Sequence, residues 1–305
     1  MATPMPAPDR GIGIADMDQS TLSNSPATVT LDRRRFDRLS ELITRELGIR
    51  MPPTKLTMLQ SRLQRRMREL QITSLDDYEA YLFGEGSGSG ELIHFFDIVT
   101  TNKTDFFREP LHFDHLVKKA LPTMAVDRGL RGRWDFKLWC AGCSSGQEVY
   151  TLCMVLAEYA AAHPGFGFSI LATDISTRIL DQAQRAIYTE EIIAPVPMEL
   201  RKKYLLRSSD PSRKLIRVAP ELRAKVRFGR LNFMDGNYGI REEFDVVFFR
   251  NVMIYFDKPT QEAVVNRICR NLRPGGHLFI SHSESLTGLN VPLKLVGNSV
   301  FRKTA

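Results

Sequence analysis

The chain is poor in cysteine and has no long apolar run. Four cysteines in 305 residues exclude a disulfide-stapled scaffold. No stretch of about 18 uncharged apolar residues occurs, so no membrane-spanning helix is expected. Met1–Pro8 lacks a basic region followed by an apolar run, so no signal peptide is read and a cytoplasmic location is the expectation. No complete G-x-G-x-x-G fingerprint and no Gly-Lys-Ser/Thr phosphate loop are found. No Ser–His–Asp or Cys–His set for covalent catalysis stands out. What is present is an ordinary apolar content of 43%, enough to build a core and to exclude wholesale disorder. The formal charge of +7 is mildly basic, compatible with an acidic partner, a nucleic acid or no partner at all.

The pattern along the chain divides it. Residues 1–30 are rich in Pro, Ser, Thr, Gly and Ala without apolar periodicity, and read as a disordered tail. Residues 31–105 read as a helical domain. Phe36, Leu39, Leu42, Ile43 and Leu47 fall at helical spacing and Gly48 is a stop signal. Leu56, Leu59, Leu63, Met67 and Leu70 form a second stripe. Ser74 with Asp77 resembles a capping box for a third helix, residues 84–90 read as a flexible loop, and Leu92–Val99 reads as a fourth helix. Residues 106–130 read as a linker helix. From 131 onward short apolar runs alternate with helical stretches, the pattern of βαβ units and a parallel sheet. Residues 188–230 interrupt it and read as a small inserted β-subdomain, which includes Lys214–Val218 and Lys225–Gly229. Residues 293–302 close the chain as an antiparallel hairpin around Gly297-Asn298. The fold class is therefore α/β, with an all-α N-terminal domain and an insertion.

Three strand ends carry candidate chemistry. The first strand runs into Gly142-Cys143-Ser144-Ser145-Gly146-Gln147-Glu148, and a helix follows. Small residues there let a ligand approach the backbone at a helix N-terminus. The second ends at Asp174, where parallel sheets bind ribose hydroxyls. That acid suits NAD and S-adenosylmethionine equally, and it is also a candidate helix cap. The third ends in Phe249-Arg250-Asn251, and Arg250 after four apolar residues demands a partner. Leu231-Asn232-Phe233 falls at the same rim.

At this point the chain resembles a known family. Thr100–Glu109 with His112-Phe113, Arg250–Phe256, and His282-Ser283-Glu284-Ser285 are similar to segments of the CheR-type chemotaxis receptor methyltransferases, over roughly residues 32–303. The resemblance implies a class I S-adenosylmethionine-dependent domain with a Rossmann-like sheet, and methyl transfer to glutamate γ-carboxylates on chemoreceptor cytoplasmic helices, leaving S-adenosylhomocysteine. By motif match, Asn102, Thr104 and Arg108 would hold the methionine end of the cofactor, and Glu148 would be its acid in the loop after strand one. Asp174 would take the ribose. Asn232, Phe233, Arg250 and Asn251 would line the adenine and methionine portions. Arg108 and Tyr255 would lie nearest the transferring methyl. The family loop Gly-Glu-Glu-Pro-Tyr-Ser reads Gly146-Gln147-Glu148-Val149-Tyr150-Thr151 here.

Arg62, Arg65 and Arg66 fall on one helical face. That face is a solvated surface, or, as the resemblance implies, the dock for an acidic receptor helix. No interleaved aromatics or RNA-binding motif accompany it, so no nucleic-acid partner is expected. Cys140-x-x-Cys143 lacks a second close pair, so core thiols are expected rather than a zinc or redox site, and no metal. His282 is a pocket member or a structural histidine. The insertion is rich in Lys and Arg, yet the turn at Ser208–Ser212 lacks the glycine of some relatives that bind a receptor C-terminal pentapeptide, which argues mildly against such a tether. No self-association interface is evident, and a monomer is the expectation. The competing readings are a nucleic-acid methyltransferase, a non-catalytic cofactor-binding regulator and an NAD oxidoreductase.

Overall fold

A computed structural model describes residues 30–84, 90–129, 132–210, 212 and 214–304. The expected N-terminal tail and most of the 84–90 loop lie outside the described residues, as do Pro211 and Arg213 of the insertion.

Four helices open the chain: α1 (Arg33–Leu47), α2 (Leu56–Glu69), α3 (Leu75–Phe83) and α4 (Gly90–Val99). Asp32 starts α1 by accepting the Arg35 amide, and Gly48 ends it at φ 68°. Ser74 caps α3 through the Asp77 amide at 3.1 Å. The predicted stripes, Phe36 to Leu47 and Leu59 to Met67, bury together into one core with Tyr78, Phe95 and Val99.

The predicted linker helix starts later than expected. Residues 106–110 are turns, because Phe107 and Glu109 both take φ 54°, outside the helical region. The helix begins as α5 (Leu111–His115) and passes through a π turn (Leu116–Ala120) into α6 (Leu121–Asp127).

The α/β domain follows: β1 (Trp134–Ala141), α7 (Gln147–Ala162), β2 (Phe166–Asp174), α8 (Thr177–Arg185), β3 (Ile187–Thr189), α9 (Met198–Tyr204), β4 (Leu205–Arg207), β5 (Leu215–Val218), α10 (Pro220–Arg223), β6 (Val226–Arg230), β7 (Phe244–Phe248), α11 (Lys258–Asn271), β8 (Leu272–Phe279), β9 (Leu293–Gly297) and β10 (Val300–Lys303). The main sheet has the order β6-β2-β1-β7-β8-β10-β9. Its β6, β2, β1, β7 and β8 are parallel, and the closing β9–β10 hairpin is antiparallel. Strand order reverses between β1 and β7, the switch point where such sheets bind ligands. All five residues of β7 are buried, as a strand covered on both faces requires.

The insertion forms a separate sheet of order β3-β5-β4. The sequence reading also placed Lys225–Gly229 in it. Instead, Val226–Arg230 pairs in parallel with β2 and extends the main sheet. Its short, mixed run carried no periodic signal to distinguish the two pairings.

Candidate functional site

A cleft enclosing about 1110 Å³, partly open to solvent, lies over the carboxyl ends of β1, β2 and β7. Asn102, Thr104, Arg108, Glu148, Asp174, Asn232, Phe233, Arg250, Asn251 and Tyr255 all line it. Residues drawn from five separate stretches of chain thus converge on one space.

Gly142 turns the chain after β1 at φ 83°, and a Cβ there would stand 2.5 Å from Val252 Cγ2. No other residue fits that turn, and its backbone forms part of the cleft floor. Asp174 ends β2. Its Oδ2 accepts the Ser144 amide at 2.9 Å and its Oδ1 the Ser176 amide at 3.0 Å. Burial nonetheless raises its pKa above its ordinary value. The Ile175 amide also stabilises the ionised form, so three backbone donors leave one lone-pair site for a ligand hydroxyl.

Arg250 finds the partners its sequence context demanded. Its side chain is 1% exposed, with Nη1 2.6 Å from Glu148 Oε2 and Nη2 3.0 Å from Glu109 Oε2. Nη2 also donates to the Arg108 carbonyl at 2.8 Å. Burial opposes the charge, but the two carboxylates outweigh it and the pKa stands raised. Glu109 responds in kind: burial opposes its ionisation, yet Arg250, with Ser281, holds it below its ordinary value. Arg250 Nε remains buried without a hydrogen-bond partner among the described residues.

Asn251, at φ 60°, ties the next segment down. Its Nδ2 donates to Ser281 Oγ at 2.7 Å and its amide to Glu284 Oε2 at 3.0 Å. Burial raises the pKa of Glu284. A 3-10 turn (Met253–Tyr255) follows and brings Tyr255 to the cleft. Burial pushes the Tyr255 phenol up, while the nearby charge of Arg108 opposes the rise. Arg108 itself makes one long contact, 3.4 Å to the Lys103 carbonyl, and has no carboxylate partner among the described residues.

The helical domain roofs the cleft with Leu47, Ile49, Arg50, Met51, Lys55 and Met58. The Arg50 amide donates to the Tyr255 carbonyl at 3.0 Å. Asn232 is spent on this closure: its Nδ2 donates to the Glu46 carbonyl at 2.7 Å and its Oδ1 accepts the Met234 amide. Asn232 therefore borders the cleft while its side chain ties the two halves of the molecule. Phe233 packs against Phe249 at 5.0 Å between centroids and offers an apolar wall.

The expected docking set, Arg62, Arg65 and Arg66, does not form one free face. Arg62 Nη1 donates to the carbonyls of Ile98, Val99 and Thr100 at 2.8–3.0 Å, capping α4. Arg66 chelates buried Glu91 at 2.6 and 3.1 Å. Only Arg65 is exposed, with Glu69 at 3.4 Å. Helical spacing showed that the three share a side of α2, but not that α4 would pack against it. Cys140 and Cys143 are buried free thiols pushed well up by burial.

Several site residues carried little signal in sequence. Glu109 and Glu284 lie inside the recognised motifs, but nothing assigned them a role. Arg50 and Lys55 read only as positive charge preceding the α2 stripe, and nothing in the sequence singled out Met58.

The donor set suits a ligand bearing hydroxyls, a cation and an anion: Asp174 for hydroxyls, Glu148 for the cation, and for the anion the Nε–H of Arg250, which has no partner among the described residues. Together with the parallel sheet and its switch point, this defines a class I S-adenosylmethionine-dependent methyltransferase. Residues 34–100 match the family model described as CheR methyltransferase, all-alpha domain, and residues 102–301 match CheR methyltransferase, SAM binding domain. The chain belongs to the CheR methyltransferase family. It is 35% identical over 285 residues to the chemotaxis protein methyltransferase of Klebsiella aerogenes, covering 93% of this chain and 94% of that protein. The Escherichia coli K12 chemotaxis protein methyltransferase is 35% identical over 282 residues, covering 92% and 95%. Chemotaxis protein methyltransferase 2 of Pseudomonas aeruginosa is 36% identical over 269 residues, covering 88% and 92%. A solved S-adenosylmethionine-dependent methyltransferase from Clostridium acetobutylicum is 15% identical with a TM-score of 0.31, covering 62% of this chain and 55% of that one. The cofactor is S-adenosyl-L-methionine. No described helix is long and apolar enough to cross a membrane.

Proposed function

We propose that this chain methylates glutamate γ-carboxylates on the cytoplasmic helices of chemoreceptors, with Arg108 and Tyr255 nearest the reacting groups. The observation that carries this reading is the Arg108 guanidinium: it lines the cleft, lacks a carboxylate partner among the described residues and neighbours the Tyr255 phenol. A forked cation without an internal acid is suited to an incoming carboxylate.

The chemistry needs little acid–base help. A glutamate is ionised near neutral pH and is already a nucleophile. The bound cofactor supplies the electrophilic methyl. The protein's task is to align the two and exclude water. Arg108 would orient the carboxylate, Tyr255 would wall and hydrogen-bond the approach, and Asp174 with Glu148 would anchor the cofactor's ribose and ammonium. Arg250 would hold Glu148 and the Arg108 backbone in register. The roof from Leu47 to Met58 would shield the exchange from bulk water.

The test incubates the protein with tritiated S-adenosylmethionine and a receptor cytoplasmic fragment, then measures label released by alkali as methanol. Base-labile methyl on the fragment is expected. Alkali-stable label, or label found on nucleic acid, would overturn the proposal.

A further inference from the structure

A second cluster of chemistry-bearing side chains lies beside the cleft, where the turn before α5 meets the loop after β8. Glu109, His112 and His282 bring ligand atoms within 4.8 Å of one another, the only such group of three found among the described residues. None of the three lines the cleft.

The geometry around His112 is unbalanced. The residue is 1% exposed. Its Nε2 faces the Asn298 carbonyl at 3.3 Å, which assigns the ring proton to Nε2. Nδ1 is then a lone pair, buried and without a hydrogen-bond partner among the described residues. It faces Glu109 Oε2 at 3.4 Å, so two acceptors confront each other with no donor between. A second proton on the ring or a bound cation would resolve that conflict.

The surroundings match what metal ligands require. Ligating imidazoles commonly donate their other N–H to a backbone carbonyl, and ligating carboxylates are themselves held by hydrogen bonds. His112 has Asn298 in that role. Glu109 has the Ser281 hydroxyl at 2.8 Å on Oε1, and on Oε2 both Arg250 at 3.0 Å and the His282 amide at 3.3 Å. The 3.4 Å gap between His112 Nδ1 and Glu109 Oε2 is close to the edge of a tetrahedron with bonds of about 2.0 Å, which is about 3.3 Å. His282 Nε2 stands 4.0 Å from the same oxygen on a side chain 35% exposed, its ring edge-on to that of His112 with centroids 4.6 Å apart. Glu109 and Glu148 flank the single cation Arg250, leaving negative charge in excess.

We propose that Glu109, His112 and His282 form a three-ligand site for a divalent transition ion such as Zn²⁺, with a fourth position open to solvent. Two imidazoles and one carboxylate favour zinc, cobalt, nickel or copper over magnesium or calcium. Occupancy would lock Glu109, and through Arg250 the Glu148 side of the cofactor cleft. The site is independent of which substrate the cleft methylates.

The test titrates metal-stripped, full-length protein with Co²⁺ and follows the visible absorption of a low-symmetry cobalt site, then displaces it with Zn²⁺. All four cysteines are buried, so native thiols should not compete. One equivalent is expected to give the band. His282→Gln, whose side chain is partly exposed, should weaken binding at least tenfold with an unchanged circular dichroism spectrum. Glu109→Gln should weaken it likewise, and His94→Gln on α4 should not. No cobalt band and no Zn²⁺ binding heat at about 100 μM metal would overturn the proposal. So would binding that survives His282→Gln and Glu109→Gln undiminished.

Discussion

Arg250 Nη1 lies 2.6 Å from Glu148 Oε2, a pair that joins the segment after β7 to the first turn of α7 across the sheet's switch point. Glu109 binds the same guanidinium, so one buried cation holds both the cleft-lining Glu148 and the turn that carries Arg108.

Removing that cation strands two carboxylates. Arg250→Met is expected to lower stability by about 3–5 kcal/mol, the cost of breaking a buried ion network from one side. Urea unfolding monitors it, and cofactor affinity measured by calorimetry should fall with it. Arg250→Lys should rescue only part, because a single ammonium cannot span both carboxylates in a fork. A full rescue by lysine would show that the charge alone matters.

Arg108 makes no strong contact among the described residues, so its loss should spare the fold. Arg108→Ala is expected to leave the unfolding midpoint within ~0.5 kcal/mol of wild type. Methyl transfer should drop by about a hundredfold or more, in keeping with the loss of an electrostatic contact to a reacting group. Wild-type turnover in this variant would remove Arg108 from the reaction.

The arginines of α2 should separate cleanly. Arg66→Ala leaves Glu91, 2% exposed, without its chelating partner and should cost about 3–5 kcal/mol. Arg65→Glu should leave stability within ~0.5 kcal/mol. If α2 meets an acidic receptor helix, the same change should raise KM for the receptor several-fold, with the difference shrinking at high salt. An unaltered KM at low salt would move the docking surface elsewhere.

Stability should fall on mild acidification. His112 and His277 are both held down to about 4, chiefly by burial, against an ordinary 6.5. Between those values the unfolded chain takes up protons that the native rings refuse. Stability is therefore complete above about 6.5 and drains as the pH falls to about 4, by at most on the order of 3 kcal/mol per ring. Asp174 and Glu284, whose pKa values are raised, act in the opposite sense and offset part of it. The urea midpoint should drop between pH 7 and 4.5, and His277→Gln should flatten the slope. A flat profile in the wild type would contradict the assignment.

Cofactor binding has its own acid limit. Asp174 accepts hydroxyls best when ionised, and burial raises its pKa. Affinity present at neutral pH should be lost on acidification at a higher pH than an exposed aspartate would give. Asp174→Asn should weaken binding and abolish that pH dependence, which calorimetry at two pH values can check.

Much of this was legible beforehand. The helix stripes, the βαβ alternation, the closing hairpin and the acid at Asp174 follow from period and position, because burial on one face leaves a repeating mark. Arg250 announced a missing partner by standing after a buried strand, though not which acids would supply it. Glu109 stayed silent because a carboxylate in a turn looks solvated until a distant arginine reaches it. β6 was misplaced because a five-residue strand has no period of its own to say which sheet it joins.

The sequence alone determined the family, the cofactor class and ten of the residues that line the cleft, since those depend on motifs and on which strand ends face the same rim. The tertiary structure decided how they are shared out. It alone turned Arg62 and Arg66 inward onto α4, assigned Asn232 to clasping the helical domain, gave Arg250 two carboxylates and left Arg108 unpaired. Those outcomes rest on contacts between residues distant in the chain, and no local pattern records whether a charge will meet a partner or be left for a ligand.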